Sequence, residues 1–135
     1  MTDTRSTPEL RDALLDAALI HVAFDGWSPA TFDAACADAN VDAALAQGVF
    51  PRRHVDLALA YHARGDADMV ARLKREPMDA LRFRDRIASA VRFRLEAVED
   101  KEAVRRGTTL FALPQHAADG AKAIWGTCDL IWDTL

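Results

Sequence analysis

Apolar positions along this chain of 135 residues recur at helical spacing from Leu10 to Leu135, and nowhere do they alternate with polar ones as a half-buried strand requires. β-Branched residues are sparse, while Ala, Leu, Arg, Asp and Glu dominate, so the pattern predicts an all-α protein of about seven helices. Residues 1–8 read as a polar, disordered tail. A first helix is expected over Glu9 to about Phe24, a second over Pro29 to Ala39, and a third over Asp42 to about Val49. The stops and starts are local: Gly26 ends the first helix, Ser28 caps the second with Pro29 at its first position, and Asn40 to Asp42 marks the next break. A long fourth helical region begins near Arg53, is weakened and open to division at Gly65, and stops at Glu76-Pro77. The fifth is expected over about Met78 to Glu99, the sixth over Lys101 to about Phe111, and the seventh from about Ala117 to the last residue.

The first three helices, residues 9–52, have the spacing of a helix-turn-helix. Their third member, Val41-Asp42-Ala43-Ala44-Leu45-Ala46-Gln47-Gly48, carries an acid and no base. Binding to DNA is largely phosphate neutralisation by Lys and Arg, so such a helix lacks the main attractive contribution, and no nucleic acid is expected as a partner.

Residues 53–135 carry the apolar excess. The fifth helix has two stripes, one through Ile87, Ala88, Val91, Leu95 and Val98 and one through Phe83, Ala90, Phe93 and Ala97, as a helix placed between others would. Arg84 falls on the first stripe. It must either find an acid across the bundle or meet a polar head group. The seventh helix aligns Ala121, Ile124, Trp125, Cys128, Ile131, Trp132 and Leu135, and an apolar area of that size must be covered by other helices, a second copy of the chain or a ligand.

Composition narrows the function classes. A formal net charge of -4 gives no global field toward nucleic acid or an anionic bilayer. The positive concentration is Arg72, Lys74 and Arg75 with the arginines of the fifth helix, read as a partly paired solvated face or as an anchor for anionic head groups. Cys36 and Cys128, without a CxxC or a secretory leader, read as reduced core thiols in a cytoplasmic compartment. No window approaches the roughly eighteen apolar residues of a membrane span, so contact with lipid would be peripheral.

No catalytic constellation emerges. P-loop, GxSxG, HExxH and GxGxxG patterns do not occur. His62 and Asp66 have the i, i+4 spacing of two metal ligands but lack the further ligands a zinc site wants, so neither metal nor cofactor is expected. His21 reads as a group at a helix C-terminus.

The block Leu14-Leu15-Asp16-Ala17-Ala18-Leu19 through His21-Val22-Ala23-Phe24-Asp25-Gly26-Trp27 is similar to the start of the coenzyme Q (ubiquinone) biosynthesis accessory proteins, the ninth named component of that pathway. Arg82-Phe83-Arg84-Asp85-Arg86-Ile87, Ala90-Val91-Arg92-Phe93-Arg94-Leu95-Glu96, Ala112-Leu113-Pro114, Ile124-Trp125 and Asp129-Leu130-Ile131-Trp132 resemble later blocks of that family, in order. The resemblance implies a fold like the tetracycline-repressor regulators with a helix-turn-helix that no longer reads DNA. It also implies an accessory protein rather than an enzyme, one that binds an isoprenoid quinone precursor or phospholipid and presents it to the pathway's di-iron hydroxylase. Such proteins are homodimers, peripheral to the membrane, which places this one at the cytoplasmic face of an inner membrane.

In the family the pattern continues past the Trp132 region through an Asp/Ser-rich turn, an Asn-Trp-Tyr-type segment and further helices. This chain is accordingly expected to be a truncated representative or the ordered piece of a longer protein, lacking much of the hydroxylase patch and a terminal membrane helix. The expected lipid lining, from faces that should converge, is Phe83, Ile87, Val91, Leu95, Ile124, Trp125, Cys128 and Trp132, with Arg84 as a polar contact. Two rival readings are a ligand-responsive DNA-binding regulator of the tetracycline-repressor type and an interaction domain whose aromatic stripe serves dimerisation.

Overall fold

The computed structural model describes residues 3–135. Among these there are seven α-helices and no strand: α1 (Thr7–Asp25), α2 (Pro29–Ala39), α3 (Ala43–Val49), α4 (His54–Arg75), α5 (Phe83–Glu96), α6 (Lys101–Phe111) and α7 (Ala117–Thr134), with a 3-10 turn, Pro114–His116, before the last. Among the described residues no helix is long and apolar enough to cross a membrane. The chain divides into two compact units. The first runs to Tyr61 and takes in Glu102–Leu110; the second comprises His62–Lys101 and Phe111–Leu135. The division thus falls eight residues into α4 and assigns α6 to the first unit, whereas the sequence suggested a boundary after residue 52.

In the first unit the helix ends are set by the expected caps. Ser28 Oγ accepts from the Thr31 amide at 3.3 Å with Pro29 opening α2, and Asp42 Oδ1 accepts from the Ala44 amide at 3.3 Å to open α3. Gly26 has φ +66°, which costs a glycine little, and its N–H returns to the Val22 carbonyl at 2.8 Å. Asn40 closes α2 in the left-handed conformation. The segment expected to be a free tail is tied down over its described residues. Ser6 caps α1, and the Arg5 guanidinium donates to the carbonyls of Ala39 at 3.1 Å and Asn40 at 3.3 Å, which the end of α2 leaves without helical donors. Met1 and Thr2 lie outside the described residues.

The core of this unit is well filled, with Leu14, Val22, Phe32, Phe50 and Leu57 buried. Buried Thr31 donates to the Gly26 carbonyl at 2.6 Å. Trp27 lies against Tyr61 and donates Nε1–H to the Ala103 carbonyl at 3.0 Å, fixing α6 to the turn between α1 and α2. His21, expected to complement the end of α1, instead bonds Asp38 of α2 at 2.6 Å.

In the second unit α4 runs through Gly65 without a break, and α5 is shorter than its apolar pattern suggested. Residues 78–82 form a turn rather than the first turn of α5. The Arg86 guanidinium binds the Asp79 and Leu81 carbonyls at 3.2 and 3.1 Å, satisfying acceptors that a longer helix would have used internally. The core here is small: Met69, Leu73, Ala90 and Phe93 are buried, with Val70, Met78, Ile131 and Leu135 packed around them. Arg72 lies 3.9 Å over the Phe93 ring and pairs with Glu96.

Candidate functional site

Two features of the second unit stand apart from its core. One is a polar cluster formed by α4, α5 and α7, and the other is an exposed apolar face formed by α5 and α7.

The cluster centres on Asp66, which is 7% exposed and therefore needs partners for its charge. Arg94 Nε donates to Asp66 Oδ1 at 2.8 Å, and Thr127 lies 2.8 and 3.0 Å from the two carboxylate oxygens. Arg94 Nη2 also donates to the His62 carbonyl at 3.0 Å. Gly65 makes this possible. A Cβ built there would lie 2.5 Å from Arg94 Cζ and 2.7 Å from Nη2, so the guanidinium occupies the space a side chain would take. The glycine that sequence marked as a weak point in α4 is the slot in which the cation sits. Arg94, rather than Arg84, is the α5 arginine that finds an acid across the helices.

His62 completes the cluster. Its Nδ1 is 3.4 Å from Arg94 Nη2, a donor, while its Nε2 is 2.8 Å from Thr127 Oγ1 and 3.2 Å from the Ala123 carbonyl. In the neutral ring the proton then belongs on Nε2 and points at the threonine hydroxyl, whose own proton is directed to Asp66. His62 donates to this hydroxyl rather than accepting from it. The arrangement is a crosslink among three helices and not a nucleophile with its base. His62 and Asp66 approach to 3.4 Å, as their spacing predicted, but the third group present is a cation. Among the described residues no three His, Cys, Asp or Glu side chains gather as metal ligands.

The apolar face is built from rows four residues apart, which share one side of a helix. On α5, Phe83, Val91 and Leu95 are exposed and Ile87 is half-buried. On α7, Ile124, Cys128 and Trp132 form one exposed row and Trp125 begins the next, with Trp125 and Trp132 at 69% and 68% exposure. The two rows meet where the Phe83 and Trp132 rings pack edge to face, centroids 5.6 Å apart and planes at 88°.

All eight residues expected to line a lipid cavity therefore lie on this surface, none of them fully buried; of the second α5 stripe Ala90 and Phe93 turn inward, while Phe83 at its start stays on the exposed face. The small Ala90 side chain lets α5 approach the core closely, and the Phe93 ring is covered by Arg72, so this stripe packs better than its rival. Cys128, read from sequence as a core thiol, is exposed; Cys36 is buried. Arg84 is also exposed, and among the described residues it has no ion pair. The sequence signal that could have identified Arg94 is its place on the inward side of α5 between Ala90 and Ala97, opposite a glycine next to an acid.

On the first unit, the exposed surface of α3 consists of Ala43, Ala44, Leu45, Gln47 and Gly48, with Asp42 at its cap, and offers no cation to a phosphate. No family model matches this chain, and no curated protein is significantly similar to it.

Proposed function

We propose that this protein is a lipid-binding accessory protein of ubiquinone biosynthesis, taking up a polyprenylated quinone precursor on the α5/α7 face and presenting it to the pathway's hydroxylase. The observation that carries this reading is the exposure of Phe83, Val91, Leu95, Ile124, Trp125 and Trp132 on neighbouring helices of one unit. A polyprenyl tail gains about 0.8 kcal/mol for each methylene withdrawn from water, so such a surface holds one without any charged contact. The face is supplied by the same stretches, Arg82 to Glu96 and Ile124 to Trp132, whose sequences resemble the accessory family. Peripheral placement at a membrane, where such tails reside, follows from the reading.

The competing reading, a DNA-binding regulator of the tetracycline-repressor type, lacks a supporting observation in α3, whose exposed residues carry no positive charge. Native mass spectrometry of gently purified protein is expected to show a co-purifying isoprenoid or phospholipid. Protein that emerges empty and takes up no added quinone would refute the proposal, and a salt-sensitive gel shift with its own upstream DNA would favour the regulator.

A further inference from the structure

The first unit leaves two large apolar side chains of α1 in solvent, in line with two carboxylates, and we infer that this side of α1 is a docking site for a cationic amphipathic helix of another protein. Asp12, Asp16, Ile20 and Phe24 follow one another at four-residue spacing, so they form one row along α1, and all four are exposed. Ile20 is 69% and Phe24 86% exposed, which puts Phe24 further into solvent than either tryptophan of the α5/α7 face. Exposed Glu9 and half-buried Ala13 and Ala17 flank the row, and the two alanines leave room for a second helix to approach closely. The one base on α1, Arg11, projects on the side opposite Ile20, where its guanidinium lies 4.8 Å over the ring of buried Phe50.

Charge selects the occupant. The first unit holds ten acids against six bases and the second eleven of each, so the whole formal net charge of -4 falls on the first. Its other five arginines are engaged elsewhere in the unit: Arg5 pairs with Asp3, Arg52 with Asp56, Arg53 with Asp33, and Arg105 and Arg106 with Glu102. A nucleic acid or an anionic bilayer is repelled by such a surface, and a neutral apolar tail gains nothing from its carboxylates. A helix with Lys or Arg on the same side as large apolar residues gains from both halves of the row, its cations meeting Asp12 and Asp16 while its apolar residues cover Ile20 and Phe24. From Asp12 to Phe24 the row is about 18 Å long at about 1.5 Å per residue, so a partner segment of three to four turns spans it. One helix laid on one helix buries less than the roughly 1,200 Å² of stable complexes, so the association is transient, with a Kd of about 10–100 μM. The α1 row belongs to the unit without the α5/α7 face, and its occupancy does not depend on a lipid guest.

Two fluorescein-labelled peptides test it on the full chain, one of about fourteen residues with Leu and Lys at helical spacing and its counterpart with Glu for every Lys. Fluorescence anisotropy at low salt should show the lysine peptide binding with a Kd of about 10–100 μM, and amide chemical shifts should place it on α1. Phe24→Ser alone, and Asp12→Lys with Asp16→Lys, should each weaken it at least about tenfold, and the lysine-bearing variant should take the glutamate peptide at least about tenfold more tightly than wild type does. Trp125→Ser, on the α5/α7 face, should change the affinity less than about twofold, which separates this site from the proposed lipid surface. All the substituted positions are exposed, and far-UV circular dichroism verifies that each variant still folds. A lysine peptide that does not bind, shifts confined to the second unit, variants that bind it as wild type does, or a charge-reversed α1 that rejects the glutamate peptide would overturn the inference. So would a wild-type dimer in sedimentation equilibrium that Phe24→Ser abolishes, since the row would then be covered by a second copy.

Discussion

Replacing Gly65 with alanine should destabilise the second unit, although in an ordinary helix the same change stabilises. At an unobstructed helical position Gly→Ala is worth about 0.5–1 kcal/mol in favour of alanine, through the lower backbone entropy of the unfolded chain. Here the new methyl would stand 2.5 Å from Arg94 Cζ and 2.7 Å from Nη2. The guanidinium would have to leave, and with it go the 2.8 Å bond to Asp66 and the 3.0 Å bond to the His62 carbonyl. Asp66 would keep Thr127 but lose its counter-charge in a site where its side chain is 10% exposed and that of Arg94 is 18% exposed.

Breaking a buried pair from one side costs about 3–5 kcal/mol, and the retained Thr127 contact and the residual exposure of Arg94 reduce this to about 2–3 kcal/mol. After the helix-propensity gain is subtracted, a net loss of about 1–2 kcal/mol remains. Urea unfolding followed by circular dichroism measures it. The control is the same substitution in an Arg94→Met background, where the slot is empty and the alanine should stabilise by about 0.5–1 kcal/mol. A Gly65→Ala protein more stable than wild type, with no difference between the two backgrounds, would show that the guanidinium does not occupy the slot.

Three further outcomes are expected. In native protein a thiol reagent at neutral pH should modify Cys128 rapidly and Cys36 only on unfolding, because burial first, and Asp33 beside it second, push the Cys36 thiol above its ordinary range. Asp3, held down mainly by its side-chain hydrogen bond from Arg5, should titrate at about 2 by carboxyl-carbon NMR and return toward 3.8 in Arg5→Ala. Since the folded-state value is depressed, the stabilisation from this pair is fully present above 3.8 and lost as pH falls through about 2. Trp27→Phe should cost about 0.5–1.5 kcal/mol by removing the indole donor to the Ala103 carbonyl, and loosen α6; hydrogen exchange of the α6 amides should report it.

The helix boundaries of the first unit could be read from the chain because caps are local. Ser28 with Pro29, Gly26, Asn40 and Asp42 act on neighbours within four residues, and all four serve as their chemistry requires. The start of α5 could not be read in this way, since Arg86 ties up the carbonyls of Asp79 and Leu81 and the apolar pattern does not register that competition.

By itself the sequence determined that the protein is all-α, that α3 is without a base, and that the second half carries more large apolar side chains than its few helices can cover. Tertiary structure alone decided which of the two α5 stripes turns inward, which arginine meets Asp66, and that Gly65 is a seat rather than a break. Periodicity fixes which residues share a side of a helix but not which side faces a neighbour. That choice depends on whether small residues such as Ala90 and Gly65 stand opposite groups that can fill the space they leave, and only the assembled helices bring those groups together.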